Sequence, residues 1–322
     1  MDVRHLELLR ELADRGSISA VAAATHRTPS AVSQQLRTAQ RELGVALVEP
    51  AGRGVRLTDA GRLLADGAVD VATALAEVQA RWDAFRDEPV GTVTLAALPS
   101  AATFLLPDVE RAMAGTGVEL RYTDADVAEA EFGALAADHD IVVAHSFTSP
   151  RPARTDGLVV VPVAVEPLDV AMSAVHPLAA RASVDVSDVT GAEWIGVPPG
   201  YPFDTVLQSI ERATGTRLDV RQRLTDNRLV EALVAAGDRL AILPRFTTPV
   251  GDRLTLRPLT GIPADRHVSA VLRPDRARRR AVRRVLDAVV RSAAATARRH
   301  HADPADPADR AGGTAICQER MR

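Results

Sequence analysis

Apolar residues recur at Val3, Leu6, Leu9 and Leu12, a helical spacing that predicts an amphipathic helix over Asp2 to Arg15. Gly16 and Ser17 break and restart the chain, and the small-residue run from Ser19 to Thr25 reads as a second helix that a neighbour can approach closely. His26-Arg27-Thr28 then turns into a third helix over about 30–43, capped by Thr28 or Ser30 and ended by Gly44. Pro29 is tolerated in its first turn, where the missing N–H has no partner anyway. Ala31, Val32, Leu36 and Leu43 face inward on this helix, which leaves Ser33, Gln34, Arg37 and Arg41 accessible. Hydroxyls, amides and a guanidinium on one face of a short helix are the groups that read a DNA groove, so the pattern predicts a helix-turn-helix.

Gly52-Arg53-Gly54-Val55-Arg56-Leu57 follows, a tight turn with a guanidinium at its tip and a short strand beside it, suited as a wing to reach phosphate or the minor groove. A long helix starts at Thr58-Asp59, with Thr58 as cap and Asp59 at the positive helix end. Along it Leu64, Ala68, Val71, Leu75, Val78, Trp82 and Phe85 alternate by four and three, a heptad seam that predicts pairing with a second copy; packing of the helix on its own domain is the plainer alternative.

After Phe85 the pattern changes. Arg86-Asp87-Glu88-Pro89 stops the helix, and strands now alternate with helices: strand Val93–Ala97, helix Ala102–Met113, strand Val118–Tyr122, helix Val127–Ala137, strand Ile141–Ala144. Beyond Pro150 come strands Leu158–Val165, Leu168–Ser173 and Trp194–Val197, helix Phe203–Ala213, strand Leu218–Leu224, helix Arg228–Ala236 and strand Leu240–Leu243. This alternation predicts βαβ units in a mainly parallel sheet, arranged as two lobes around a cleft. Residues 276–299 are rich in Arg, but Ala281, Val282, Val285, Leu286, Val289 and Val290 form a helical stripe, so the arginines are expected on the solvated face of a docked helix.

Residues 3–64 resemble the winged helix-turn-helix of the LysR-type transcriptional regulators. The resemblance rests on Leu6-x-x-Leu9, Gly16-Ser17-Ile18, Ala22-Ala23, the run Ser30 to Leu36, Glu42-Leu43-Gly44-Val45-x-Leu47, and Arg53 to Gly61. Val48-Glu49-Pro50 stands where the family usually has Phe-Glu-Arg, Pro29-Ser30 where Gln-Pro is common, and Gln34 where Arg is common. These departures remove two basic groups and one amide from the expected grip on DNA. The later strand order is similar to the family's effector-binding domain, with His176-Pro177-Leu178, Gly237 and Ile242-Leu243-Pro244 as landmarks.

The resemblance implies an α/β chain: a winged helix-turn-helix over 1–58, a dimerisation helix over 59–89, and a two-lobed periplasmic-binding-protein-like effector domain over 90–295. Lobe one is expected at 90–161 plus 266–295 and lobe two at 162–265, with a disordered tail over 296–322. It implies double-stranded promoter DNA as partner, contacted by Thr28, Pro29, Ser30, Ser33, Gln34, Arg37, Arg53 and Arg56. It also implies a homodimer or homotetramer, contact with RNA polymerase, and modulation by a small effector. Effector contacts carry over to Ser100, Thr103, Ser146, Pro199, Phe203, Asn227 and Pro244. Ser100 and Thr103 lie where a strand turns into a helix, which favours a small anion, carboxylate or amino acid, although simple capping uses the same residue types.

Composition narrows rather than redirects this reading. The 322 residues suit two or three domains, and 46% hydrophobic with 25% charged is ordinary for a globular protein. With a net charge of -3, affinity for DNA must come from local placement. Every basic charge is Arg, since the chain has no Lys. The one cysteine, Cys317, cannot form an intramolecular disulfide and fits a reducing compartment; a redox role and a bystander thiol are both open. Charges at Asp2, Arg4, Glu7, Arg10 and Glu11 leave no signal peptide, and the longest apolar run, Leu158 to Val165, is far short of a membrane span, so a cytoplasmic location without membrane contact is expected. Asp138-His139-Asp140 and His300-His301 lack metal-site spacing, no catalytic motif stands out, and neither metal, cofactor nor enzymatic activity is expected. The alternative is an architectural DNA-binding protein whose cleft has lost its ligand; a cleft filled by side chains would mark it.

Overall fold

The structure is a computed structural model that describes residues 2–52, 54–85, 91–199, 201 and 203–301. Its first unit is helical: α1 Val3–Arg15, α2 Ile18–Ala24 and α3 Pro29–Leu43, then the hairpin β1 Val48–Ala51 and β2 Gly54–Leu57, then the 27-residue α4 Asp59–Phe85. Ser17 restarts the chain as α2's cap, Thr28 rather than Ser30 caps α3, and Asp2 caps α1, while Gly16 and Gly44 end α1 and α3 at φ 69° as expected. Leu9, Val32, Leu36, Ala39 and Leu47 form the core, joined by Leu57 and Ala65. Gly61 lets α4 lie against the hairpin: a Cβ there would sit 2.1 Å from the Leu47 carbonyl oxygen.

The second unit contains β3 Gly91–Ala97, α5 Pro99–Met113, β4 Val118–Asp124, α6 Phe132–Leu135, β5 Ile141–Ser146, β6 Val159–Ser173, β7 Val184–Asp185, β8 Glu193–Gly196 and α7 Asp204–Thr214. It continues with β9 Asp219–Arg223, α8 Asn227–Ala235, β10 Leu240–Pro244, β11 Leu254–Arg257, β12 Leu259–Thr260, β13 Asp265–Leu272, α9 Pro274–Arg278 and α10 Arg280–His301. Strand order is β4-β3-β5-β13-β6-β10-β8-β9, with β11 beside β6. Pairing is parallel within β4-β3-β5 and within β10-β8-β9, and antiparallel where β13 and β6 join the two sets.

Three expectations are corrected. The two strands read on either side of Glu166-Pro167 are one 15-residue strand that passes from one lobe into the other. Its Pro162 cannot donate to the ladder, and the register with β13 shifts between Val268 and Ser269 at that point. The helix expected over Val127–Ala137 shrinks to a 3-10 turn and the four-residue α6, because Gly133 is pressed onto the next loop, where a Cβ would lie 2.3 Å from the Arg154 carbonyl oxygen. The first residues of the tail expected from 296 are helix instead: α10 continues to His301, and Thr296 is buried on lobe one. Residues 302–322, with Cys317, lie outside the described residues.

The Arg-rich helix docks as expected. Ala281, Val282, Val285, Ala288, Val289 and Ala293 are buried in the lobe-one core, while Arg276 and Arg279 are engaged rather than solvated, both reaching the buried Asp140 at 3.0 and 2.7 Å. The helical unit meets lobe one through charges. Arg273 lies 2.9 Å from Asp14, Arg10 3.6 Å from Asp275, and Arg15 2.7 Å from Asp138.

Candidate nucleic-acid interface and ligand cleft

The first turn of α3 presents Thr28, Pro29 and Ser30 to solvent, followed by exposed Gln34 and Arg37 and half-buried Ser33. Thr28 accepts the Ala31 N–H at 3.2 Å and stands 3.0 Å from the Ser30 hydroxyl, so its side chain is fixed rather than free. Arg37 donates to the Gln34 amide oxygen at 2.7 Å, which orients that amide along the exposed face. Gln35 turns back to donate to the Arg4 carbonyl at 2.7 Å and braces α3 on α1. In the hairpin Arg56 pairs with Glu49 directly across the strands at 2.7 Å, so part of its charge is already neutralised. Arg53, at the expected wing tip, lies outside the described residues.

The heptad seam of α4 divides. Ala68 is buried and Leu64 packs on the helix-turn-helix core, so these two positions serve the chain itself; this corrects their assignment to a partner. Val71, Leu75, Val78, Trp82 and Phe85 are exposed, Phe85 at 82%, with the rings of Trp82 and Phe85 stacked at 5.8 Å.

Between the lobes lies a cavity of about 710 Å³. Ser100, Thr103, Phe203 and Asn227 line it, as expected. The other three expected contacts do not. Ser146 is fully buried and accepts the Thr148 N–H at 3.3 Å; on a strand alternate side chains face opposite ways, and it is the preceding His145 that faces the cavity. Pro244 is buried at the end of β10 in register with Leu168, and Pro199 is exposed on a rim loop whose Val197 and Tyr201 point inward instead.

A dry ion pair forms the floor. Glu166 on β6 and Arg266 on β13, the two strands that cross between lobes, are 0% and 1% exposed. Arg266 Nε and Nη2 donate to Glu166 Oε2 at 2.7 and 2.5 Å, Nη2 also reaches Ser100 Oγ at 3.0 Å, and Glu166 Oε1 accepts the Phe246 N–H at 2.9 Å. The guanidinium lies 5.7 Å from the Phe203 ring centroid, so one residue touches α5 of lobe one and the start of α7 in lobe two. His145 stands edge-on between Phe132 and Phe147. Burial, reinforced by the Arg266 charge, lowers its pKa to about 3, so the ring is neutral.

The hydroxyls expected to be free for an anion are in use: Thr103 donates to the Pro99 carbonyl at 2.8 Å, and Ser100 accepts from Arg266. The helix start above them has no side-chain cap, which leaves backbone N–H groups at the cleft. Asp124, Asp126, Glu231 and Arg266 escape sequence reasoning, because they come from separate elements and no local spacing unites them, whereas His145 belongs to the rim segment His145-Ser146-Phe147 that the sequence does indicate. The alternation along β5 separates it from Ser146. Among the described residues no group of His, Cys, Asp or Glu is arranged to hold a metal ion, and no helix is long and apolar enough to cross a membrane.

The comparisons agree with both halves of this geometry. Residues 3–62 match the family of the "Bacterial regulatory helix-turn-helix protein, lysR family", and residues 86–294 match the "LysR substrate binding domain". A hydrogen peroxide-inducible genes activator of Pectobacterium carotovorum subsp. carotovorum is 26% identical over 249 residues, 77% of this chain and 82% of that one. Full-length OxyR from Pseudomonas aeruginosa superposes with a TM-score of 0.61 at 19% identity, covering 90% of this chain and 94% of that one. ArgP from Mycobacterium tuberculosis gives 0.60 at 20% identity, with 91% and 97% covered. At these identities the solved structures bear on the fold.

Proposed function

The chain belongs to the LysR family of DNA-binding transcriptional regulators, and from that membership we propose how its two sites divide the work. Thr28, Pro29, Ser30, Ser33, Gln34 and Arg37 enter a major groove, the hairpin lies on the backbone, and a small molecule in the cleft sets how the protein engages that DNA. The single observation that carries this reading is the open cleft of about 710 Å³, walled by polar groups from both lobes, in a chain whose α3 presents a polar exposed face. A cleft filled by side chains would have favoured the architectural alternative. The exposed strip from Val71 to Phe85 joins two copies, placing two recognition helices on one operator. The effector acts by binding one arrangement of the lobes better than another, since only differential affinity shifts such an equilibrium. Its proposed class is a small carboxylate or amino acid; the same reading includes action in the cytoplasm and contact with RNA polymerase.

The response in that relative's name is not part of this reading, which rests on the cleft; residues 86–294 contain no cysteine. The test is footprinting on DNA upstream of the protein's own gene at two salt concentrations, with and without small carboxylates and amino acids. A protected interrupted palindrome whose edges move with one compound supports the reading; specific binding that no compound changes, and that a cavity-filling variant leaves intact, overturns its effector half.

A further inference from the structure

The charge of the cleft sharpens the choice of effector. Among the described residues its carboxylates are Asp124, Asp126, Asp226 and Glu231, against the guanidiniums of Arg228 and Arg266. Arg266 is spoken for by the buried Glu166, and Asp226 caps α8 by accepting the Arg228 and Leu229 N–H groups at 2.9 and 3.4 Å. Arg228 draws on Glu231, whose carboxylate also feels the Asp226 charge, so one guanidinium stands against two carboxylates. Asp124, the last residue of β4, and Asp126, two residues on, stand on the opposite lobe and have no hydrogen-bond donor among the described residues. Partial desolvation and the Asp124 charge push the Asp126 carboxyl above its ordinary value against the pull of Arg266, and burial does the same to Glu231 against the pull of Arg228, so at neither carboxylate does the nearby guanidinium outweigh what opposes ionisation.

A second observation points into the same space. His145 is 1% exposed, lines the cavity, and its Nδ1 has no hydrogen-bond partner. An orphaned polar nitrogen in a buried setting is costly unless something else completes it. Because the ring is neutral, it adds no positive charge to offset the carboxylates, and it offers a ligand a lone pair or an N–H.

Resting on the cleft reading above, we infer that the effector bears a protonated amine, whose cationic end lies among Asp124, Asp126 and Glu231. A carboxylate on the same molecule, where there is one, lies at the uncapped start of α5 beside Arg266. A purely anionic effector would add charge to walls already rich in carboxylate.

Calorimetric titration of the full chain with three probes of similar length, 1,5-diaminopentane, L-lysine and glutarate, tests this. Both amines bind and glutarate does not. Asp126→Asn, at an exposed position that leaves the fold intact, weakens amine binding roughly tenfold to hundredfold, the loss of one charge-assisted hydrogen bond. Thr103→Trp fills the cavity without altering its charge and abolishes amine binding. Diaminopentane that still binds to Thr103→Trp is on the outer surface, and the inference falls. Glutarate that binds in place of the amines, and is lost in Thr103→Trp, overturns the amine class while the cleft reading stands. If no probe binds, the inference falls, and the Thr103→Trp footprint then decides the cleft reading separately: altered, it stands; unchanged, it falls too.

Discussion

Two ionic clusters hold the parts of this chain together, and they differ in how dry they are. Glu166 and Arg266 tie the crossing strands at the hinge of the lobes with both side chains essentially out of water. Arg273, Arg10 and Arg15 tie the helix-turn-helix unit to lobe one in a seam that is only partly dry: Arg273 is 7% and Asp275 16% exposed at the side chain, but Asp14 is 34% and Asp138 57%. The seam is also internally opposed. Arg10 is pushed down by burial and then by the Arg273 charge, and burial pushes the Asp14 carboxyl up more than Arg273 pulls it down. A dry pair fixes geometry because neither partner tolerates losing the other, whereas a wet one separates at little cost and responds to salt. The hinge is therefore the firmer of the two joints, and the seam is the one expected to respond to salt.

The largest expected effect breaks the dry side. Glu166→Ala leaves the Arg266 guanidinium buried without its carboxylate and lowers stability by about 3–5 kcal/mol in chemical denaturation. A loss no greater than that of Arg273→Ala would erase the distinction between the clusters.

His145 sharpens the same side through pH. Its folded pKa is lowered to about 3 from an ordinary 6.5, so between those values the unfolded chain takes up a proton that the folded chain refuses. Stability therefore falls as pH drops below about 6.5, and the fall from this group ends near pH 3, where both states are protonated. From pH 7 to pH 5 the contribution is about 2 kcal/mol. Denaturant midpoints across that range should lose this slope in His145→Gln; an unchanged slope would mean that the imidazole is not buried and neutral.

How much of each region could be read from the sequence follows from how its residues are brought together. In the helix-turn-helix the caps Ser17 and Thr28, the stop at Gly44 and the accessible Gln34 and Arg37 each sit within or at the end of a single helix, so local spacing alone places them. The cleft joins Ser100, His145, Phe203, Glu231 and Arg266, whose proximity depends on strand order and on β6 crossing from lobe to lobe. Hydroxyls near a helix start were legible as a ligand rim, but their engagement by Arg266 and Pro99 was not. Ser146 illustrates the limit: both faces of β5 are buried, so hydropathy could not say which of two neighbours looks into the cavity.

At the partly wet seam, Arg273→Ala should lower stability by about 1–3 kcal/mol, less than the hinge pair, since Asp14 regains water and Asp275 keeps Arg10 nearby. Its larger consequence is in shape. Small-angle scattering of the variant at low salt should show the wider distribution of distances that the unaltered protein reaches only at high salt; identical profiles for both would mean that the charges do not hold the seam.

The smallest effect on the fold, and the most specific on function, is expected of Arg37→Ala. Arg37 is exposed and touches only Gln34, so thermal stability should stay within experimental error. On DNA the guanidinium has two jobs that separate cleanly. As a phosphate contact it releases about one counterion, so its loss flattens the slope of log affinity against log salt by about one and weakens all sequences alike. As the brace of the Gln34 amide it fixes a base-reading group, so its loss also relaxes preference at one base pair. A flattened slope with unchanged preference assigns Arg37 to the backbone alone; relaxed preference with an unchanged slope assigns it to bracing alone; neither change removes this face of α3 from the groove. A change in any of these that also required an intact Arg273 would tie recognition to the seam.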